Sequence, residues 1–203
     1  MRPNLIIDAF PEKVQFAGAD CPIRTDFRIG MLFEGLIRER EIEEDARIEQ
    51  VLRLYYPPES LRHIEQTGAI NEAVTEVLWF YACGDPPKPE KSSARTGSIR
   101  RRLYDWDEDA PMIYAAFYAQ YGIDLNRVQG LHWWAFCALF AGLSDEHRIV
   151  QVMGWRGADL GKIQNKDERR RIAALQARYA LPCDWSPEEA QRAAGSVFGH
   201  LAK

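Results

Sequence analysis

Residues Leu103 to Leu143, LYDWDEDAPMIYAAFYAQYGIDLNRVQGLHWWAFCALFAGL, decide the fold class of this chain. An acidic cluster opens the stretch and a dense aromatic run follows it. Ile113, Phe117 and Tyr121 recur every four positions, with Tyr114 and Tyr118 beside them, a spacing that lays a wide apolar stripe along one helix. That helix is expected to begin near Asp107 and to end at Gly122. A second, from about Val128 to Ala141, carries Leu131, Trp134, Ala138 and Leu139 on one side and Trp133, Cys137, Phe140 and Ala141 on another. A helix apolar nearly all round calls for central burial or for a second, partner-facing surface.

Upstream of this stretch, Asp85 to Ser98 (DPPKPEKSSARTGS) holds three prolines, several serines and no large apolar residue. Such a segment buries too little surface to offset the cost of ordering its backbone, and it is expected to be a flexible linker. Before it, Ala69 to Cys83 has Ile70, Val74, Val77, Leu78 and Tyr81 at helical spacing, with Gly84 as the stop. Nearer the N-terminus, Val14 and Phe16 before Gly18, and Cys21 and Ile23 after it, suit a short β-hairpin closed around Ala17, Gly18 and Ala19. Thr25 or Asp26 can then cap a long helix whose apolar face is Phe27, Met31, Leu32, Leu36 and Ile37. From Arg38 to Glu49 nearly every residue is ionic, which suits an exposed stretch or a turn into another helix ending before Pro57 and Pro58.

Downstream, Ser144 is placed to cap a helix that stops near Gly154, and a further helix runs from about Lys166 to Tyr179, ahead of Pro182. SPEEAQRAAGSVFGH adds a weak last helix. The expected fold is mainly α, with a short N-terminal β-hairpin and an internal flexible linker. Its parts are residues 1–84, the linker 85–99, an aromatic-rich helical unit 100–182 and a C-terminal extension 183–203. The two helical units are free to pack as one domain.

Composition narrows the function classes. At 203 residues the chain can bury a full core without staples. The four cysteines, Cys21, Cys83, Cys137 and Cys183, lie far apart, without a CxxC pair or a nearby histidine to complete a zinc set, so they suit reduced cytosolic thiols. Apolar residues in MRPNLIIDAF are too few for a signal-peptide core, and no run approaches a membrane span, so a soluble protein without membrane contact is expected. The net charge of -4 disfavours nucleic-acid binding, which draws its affinity from lysine and arginine contacts to phosphates. Two basic runs, Arg100 to Arg102 and Arg169 to Arg171, adjoin Asp105, Asp107, Glu108 and Asp109 in one case and Asp167 and Glu168 in the other. They suit compensated helix-end charges.

Asp105, Asp107 and Asp109 have the D-x-D-x-D opening of a calcium loop, but Ala110 stands where its turn needs glycine and Ala116 where a bidentate glutamate belongs. They are better explained as acids favouring a helix N-terminus. His132, directly before Trp133 and Trp134, invites a ligand or general-base role, yet a histidine at the edge of an apolar helix is more often a hydrogen-bonded packing residue. GxSxG, HExxH, P-loop and GxGxxG motifs are all missing, so neither an enzyme nor a cofactor is expected. Of the six tryptophans, Trp79 and Trp134 suit the core. Trp106, among acids before a helix, and Trp133, with Cys137 and Phe140 beside it on the second helix face, are the candidate partner-binding residues.

TDFR at Thr25 to Arg28 follows the strand pair, and three longer segments succeed it: Tyr104 to Leu125, Leu131 to Leu143, and KDERRRIAALQARYALP at Lys166 to Pro182. Together, in this order, they resemble the bacteriophage gene-product-fifteen family, tail-module proteins of long, noncontractile-tailed phages and prophages. The extension from Cys183 has no counterpart in that resemblance. What the resemblance implies is a small helical protein of virion morphogenesis, acting in the bacterial cytoplasm. Its expected role is a tail assembly chaperone that binds the tape-measure protein, the tail tube protein or both, with homo-oligomerisation left open. The alternative it implies is a structural connector built into the virion. An enzyme using Asp105, Asp107 and Asp109 is the third reading.

Overall fold

The computed structural model describes residues 4–39, 41–85 and 102–182. The linker expected at 85–99 falls almost wholly outside them, as do the C-terminal extension from Cys183 and its weak helix. Among the described residues lie two strands, β1 (Lys13–Phe16) and β2 (Ala19–Pro22), and eight helices. The helices are α1 (Phe27–Arg38), α2 (Glu44–Tyr55), α3 (Pro58–Thr67), α4 (Ile70–Tyr81), α5 (Ala110–Tyr121), α6 (Trp133–Ala141), α7 (Arg148–Gly157) and α8 (Lys166–Arg178). The fold is mainly α with an N-terminal hairpin, as the sequence predicts. Contacts group the described chain into two units, 4–85 with 129–138, and 102–128 with 139–182. The division thus differs from the linear one at 129–138, which joins the N-terminal unit.

In the first unit β1 and β2 pair antiparallel with Val14 opposite Cys21 and Phe16 opposite Ala19, and the period of two buries Val14, Phe16 and Cys21. Ala17 and Gly18 both have positive φ, 47° and 75°, the two-residue hairpin loop whose twist matches that of the strands. The Ala17 amide donates to the Glu72 carboxylate on α4 at 2.8 Å. Asp26 caps α1, accepting from the Arg28 amide at 2.9 Å.

The ionic stretch after α1 does contain a turn, and α2 follows with Glu44 and Asp45 in its first turn, where the helix dipole favours acids. One element was not expected. Pro57 and Pro58 end α2, but Pro58 also opens α3, because a proline at the first helical position loses no hydrogen bond; Gly68, at φ 69°, closes it. The core of this unit gathers Phe33, Tyr55, Tyr56, Val77, Phe80, Trp134 and Phe136, each almost wholly buried.

The second helix of the aromatic stretch starts later than the periodicity predicts, at Trp133 instead of Val128. Gly130 takes a left-handed φ of 70°, and the next residues are extended. There the Phe27 amide donates to the Leu131 carbonyl at 3.0 Å, and the Trp133 amide donates to the Thr25 carbonyl at 2.7 Å, a bridge that makes α1 and α6 start from each other.

In the second unit, α5, α7 and α8 bury Ile113, Ala116, Phe117, Ile149, Val152 and Ile172. Gly122, at φ 66°, ends α5 at the predicted place. Helix α5 begins at Ala110, three residues past the expected Asp107, because Trp106 to Asp109 form a turn. Asn165 caps α8, accepting from the Asp167 and Glu168 amides. Ser144 caps a turn, accepting from the Glu146 amide at 3.3 Å, and α7 proper begins at Arg148 and runs three residues past Gly154.

Candidate functional site

The acidic cluster has local duties. Asp105 is buried, and its Oδ1 accepts from the amides of Asp107 and Glu108 at 2.8 and 2.9 Å, closing the turn that leads into α5. Arg102 pairs with its other oxygen at 3.3 Å. Asp109 lies deeper, 1% exposed, and forms a two-point ion pair with Arg156 of α7: Nη1 to Oδ2 at 2.5 Å and Nη2 to Oδ1 at 2.9 Å. The Asp105 amide also donates to Asp109 Oδ2, at 3.0 Å. Two further guanidinium donors are engaged, Nε by the Tyr179 carbonyl at 2.7 Å and Nη1 by that of Leu103 at 2.9 Å. A single arginine therefore ties the entry to α5, helix α7 and the end of α8. Of the three aspartates only Asp107 faces solvent.

His132 has the hydrogen-bonded packing role expected of it. It is buried, its Nδ1 accepts from the Trp134 amide at 3.1 Å, and its Nε2 lies 3.1 Å from the Pro11 carbonyl. The amide fixes Nδ1 as acceptor, so Nε2 carries the proton and the ring is neutral. Its ring stacks on Phe10, centroids 4.8 Å apart. Burial pushes the imidazole pKa below its ordinary value, against the opposing pull of the Pro11 carbonyl and Glu12.

The candidate partner-binding residues are placed inside the units. Trp133 is 3% exposed, its indole donating to the Tyr81 carbonyl at 2.8 Å and its ring stacking with Tyr81 and with Phe136. Gly30 of α1 makes room for it, since a Cβ there would meet the Trp133 ring at 2.4 Å. Trp134, as expected, is core, donating to the Phe80 carbonyl at 2.7 Å, with Trp79 against its edge. Trp106 is 8% exposed and packs with Tyr104 and Phe140; Phe140 and Cys137 are half-buried. Neither tryptophan offers the surface that its place in the sequence suggested, because each ring is taken up by aromatic neighbours of its own unit. A hydrogen bond to Cys83, with burial, raises the Cys137 thiol pKa and keeps it protonated, remote from a reactive thiolate.

Exposed apolar surface lies instead on α5. Between Asp109 and Asp124 there is no charged residue, and the outward half of the helix presents Ala110, Pro111, Tyr114, Ala115, Tyr118 and Ala119. Tyr118 is 57% and Tyr114 38% exposed, and their rings lie parallel within 13°, centroids 6.1 Å apart, as a plate beside a shelf of small residues. Solvent-facing helix surfaces ordinarily carry charge, as α8 does with exposed Arg169, Arg170 and Arg171. Sequence periodicity missed this face. Its signal was an uncharged run of fourteen residues whose inward stripe needed only Ile113, Ala116 and Phe117.

The described residues thus define a mainly helical protein whose buried polar clusters secure its own fold, with an uncharged face left open on one helix. A family model for the bacteriophage Gp15 protein matches residues 6–181. The chain belongs to that family, which suggests a structural or morphogenesis role in a bacteriophage. No curated protein and no solved structure matches it. Among the described residues no helix is long and apolar enough to cross a membrane.

Proposed function

We propose that this protein is a tail assembly chaperone, which holds apolar helical stretches of its phage's tape-measure protein until tube subunits polymerise around them. The observation that carries this reading is the uncharged exposed face of α5 in a member of a phage family. An amphipathic client helix can lay its apolar side on such a face, with Tyr114 and Tyr118 as aromatic anchors. The net charge of -4 favours solubility of the loaded complex. No covalent step is part of this role. Asp105 and Asp109, the carboxylates an enzymatic reading would need, are engaged by backbone amides, Arg102 and Arg156. The site of action is the host cytoplasm, before the virion is complete.

The test is coexpression with the tape-measure protein, followed by pull-down and a solubility assay, with Tyr118→Glu alongside. The expected result is soluble, copurifying tape-measure protein that is lost with the variant. Copurification with mature particles, and none with free tape-measure protein, would overturn this reading and favour a connector incorporated in the virion.

A further inference from the structure

We infer that Cys83 and Cys137 form a peroxide-sensitive dithiol, whose oxidation joins them in a reversible disulfide that staples the start of α6 to the end of α4.

The pair is assembled around one carbonyl. Cys83 lies two residues past α4, its Sγ 3.9 Å from the Tyr81 carbonyl, which also accepts the Trp133 indole N–H at 2.8 Å. Cys137 follows Trp133 by four residues on α6 and so shares its side of the helix. The two thiols meet there in a hydrogen bond. Both belong to the N-terminal unit, both are reduced, and both are half-buried, so a small oxidant can reach them. Cys21, by contrast, is shut inside the hairpin face.

Tyr55 completes the cluster. Its side chain is wholly buried, and its hydroxyl finds no hydrogen-bond partner among the described residues. Burial, and then the nearby Cys137 and Cys83, push its pKa far above the ordinary value, so the hydroxyl stays a donor beside two sulfurs. It can donate to negative charge that develops on either of them.

The chemistry runs through Cys83 first. The hydrogen bond keeps the proton on Cys137, which leaves Cys83 to act as the thiolate. Its sulfur attacks a peroxide oxygen, the O–O bond breaks, and hydroxide leaves to take a proton and become water. Cys83 is then a sulfenic acid. The Cys137 sulfur attacks the Cys83 sulfur; the S–S bond forms as the S–O bond breaks, and the departing hydroxide takes the Cys137 proton as a second water. The two sulfurs lose two electrons and the peroxide gains them. A small dithiol reverses the step by exchange.

The bond closes a loop of about fifty residues, which restricts the unfolded chain strongly. It also fastens residues 129–138 to the helix whose Phe80 and Tyr81 carbonyls receive their indoles.

Stoichiometric hydrogen peroxide added to the reduced full chain tests this, read by peptide mapping without reductant and by thermal unfolding. A cross-linked Cys83–Cys137 peptide is expected, with a thermal midpoint raised by about 5–10 °C. Dithiothreitol should reverse both. Cys83→Gly removes the thiol without risk to the fold, since glycine adopts the left-handed φ of 54° freely, and it should abolish the cross-link and the shift. Cys137→Ala should leave Cys83 as a sulfenic acid that dimedone captures, whereas in Cys83→Gly no label should appear at Cys137. Thiols that stay free, or that pair with Cys21, Cys183 or another chain instead of each other, overturn the inference. So does a midpoint shift that survives in Cys83→Gly, or an absence of dimedone capture at Cys83. A cross-link without a rise in midpoint overturns the staple.

Discussion

Helices α5 and α6 are alike in sequence, both aromatic and both without a charged residue, yet one leaves half its circumference open while the other buries its aromatic start. The difference lies in what meets them. Trp133 and Trp134 each find a backbone carbonyl for the indole N–H, at Tyr81 and Phe80, and α1 gives up a side chain at Gly30 to admit the first ring. On the outward face of α5 the Tyr114 hydroxyl is met by Asp124, but the rings of Tyr114 and Tyr118 stay exposed. An uncharged helix therefore says that some partner covers it; the placement of carbonyls and glycines elsewhere says whether that partner is the chain itself.

The sharpest way to break the comparison is at the buried helix. Trp134→Ala should cost about 3–5 kcal/mol in urea unfolding, through lost packing and the lost indole hydrogen bond to the Phe80 carbonyl. A cost near that of an exposed tyrosine would mean that α6 is not covered as described. Arg156→Met should destabilise by a comparable amount, about 3–5 kcal/mol, by leaving Asp109 buried and unpaired. Adding Asp109→Asn should recover part of that loss; no recovery would mean that the guanidinium acts through its carbonyl contacts instead. Gly30→Ala, which drives a methyl into the Trp133 ring, should cost about 1–3 kcal/mol, and a neutral result would show that the ring can shift freely.

Acid sharpens the comparison further. The His132 pKa is lowered in the folded protein, so the unfolded chain takes up its proton first, near its ordinary pKa of about 6.5. The contribution of the neutral ring is complete above that pH and falls away as pH drops from there toward the lower folded value. Urea midpoints of wild type and His132→Asn, followed from about pH 7.5 to about pH 5, should converge as pH falls, because asparagine can cap α6 without titrating. Parallel curves would remove His132 from the account. The smallest effect is expected on the open helix. Tyr118→Glu should leave stability within about 0.5 kcal/mol, and a larger loss would mean that the face is core after all.

What could be read from the sequence was local. Gly18 marked the hairpin loop, Asp26 the cap of α1, Gly84 and Gly122 the ends of α4 and α5, since each acts within a few residues of itself. Helix α3 is hidden in the sequence because Pro58, a terminator of the helix before it, is also the initiator of the next. The late start of α6 escaped because its first residues pair with Thr25 and Phe27, about a hundred positions earlier. At the candidate site, periodicity put Trp133 on a second face but could not show that Tyr81 and Gly30 would be waiting for it. The duty of Asp109 likewise depends on Arg156, 47 residues downstream.

The exchange between Thr25–Phe27 and Leu131–Trp133 has a consequence for biogenesis. While the chain is still emerging from the ribosome, the hairpin and α1 to α4 have no Trp134 to fill their centre and no partner strand for the start of α1. That half must wait, with Phe80 and its neighbours uncovered, until residues 129–138 have been synthesised. Maturation of the N-terminal half is thus gated by sequence distance, and contacts of such long separation fold slowly.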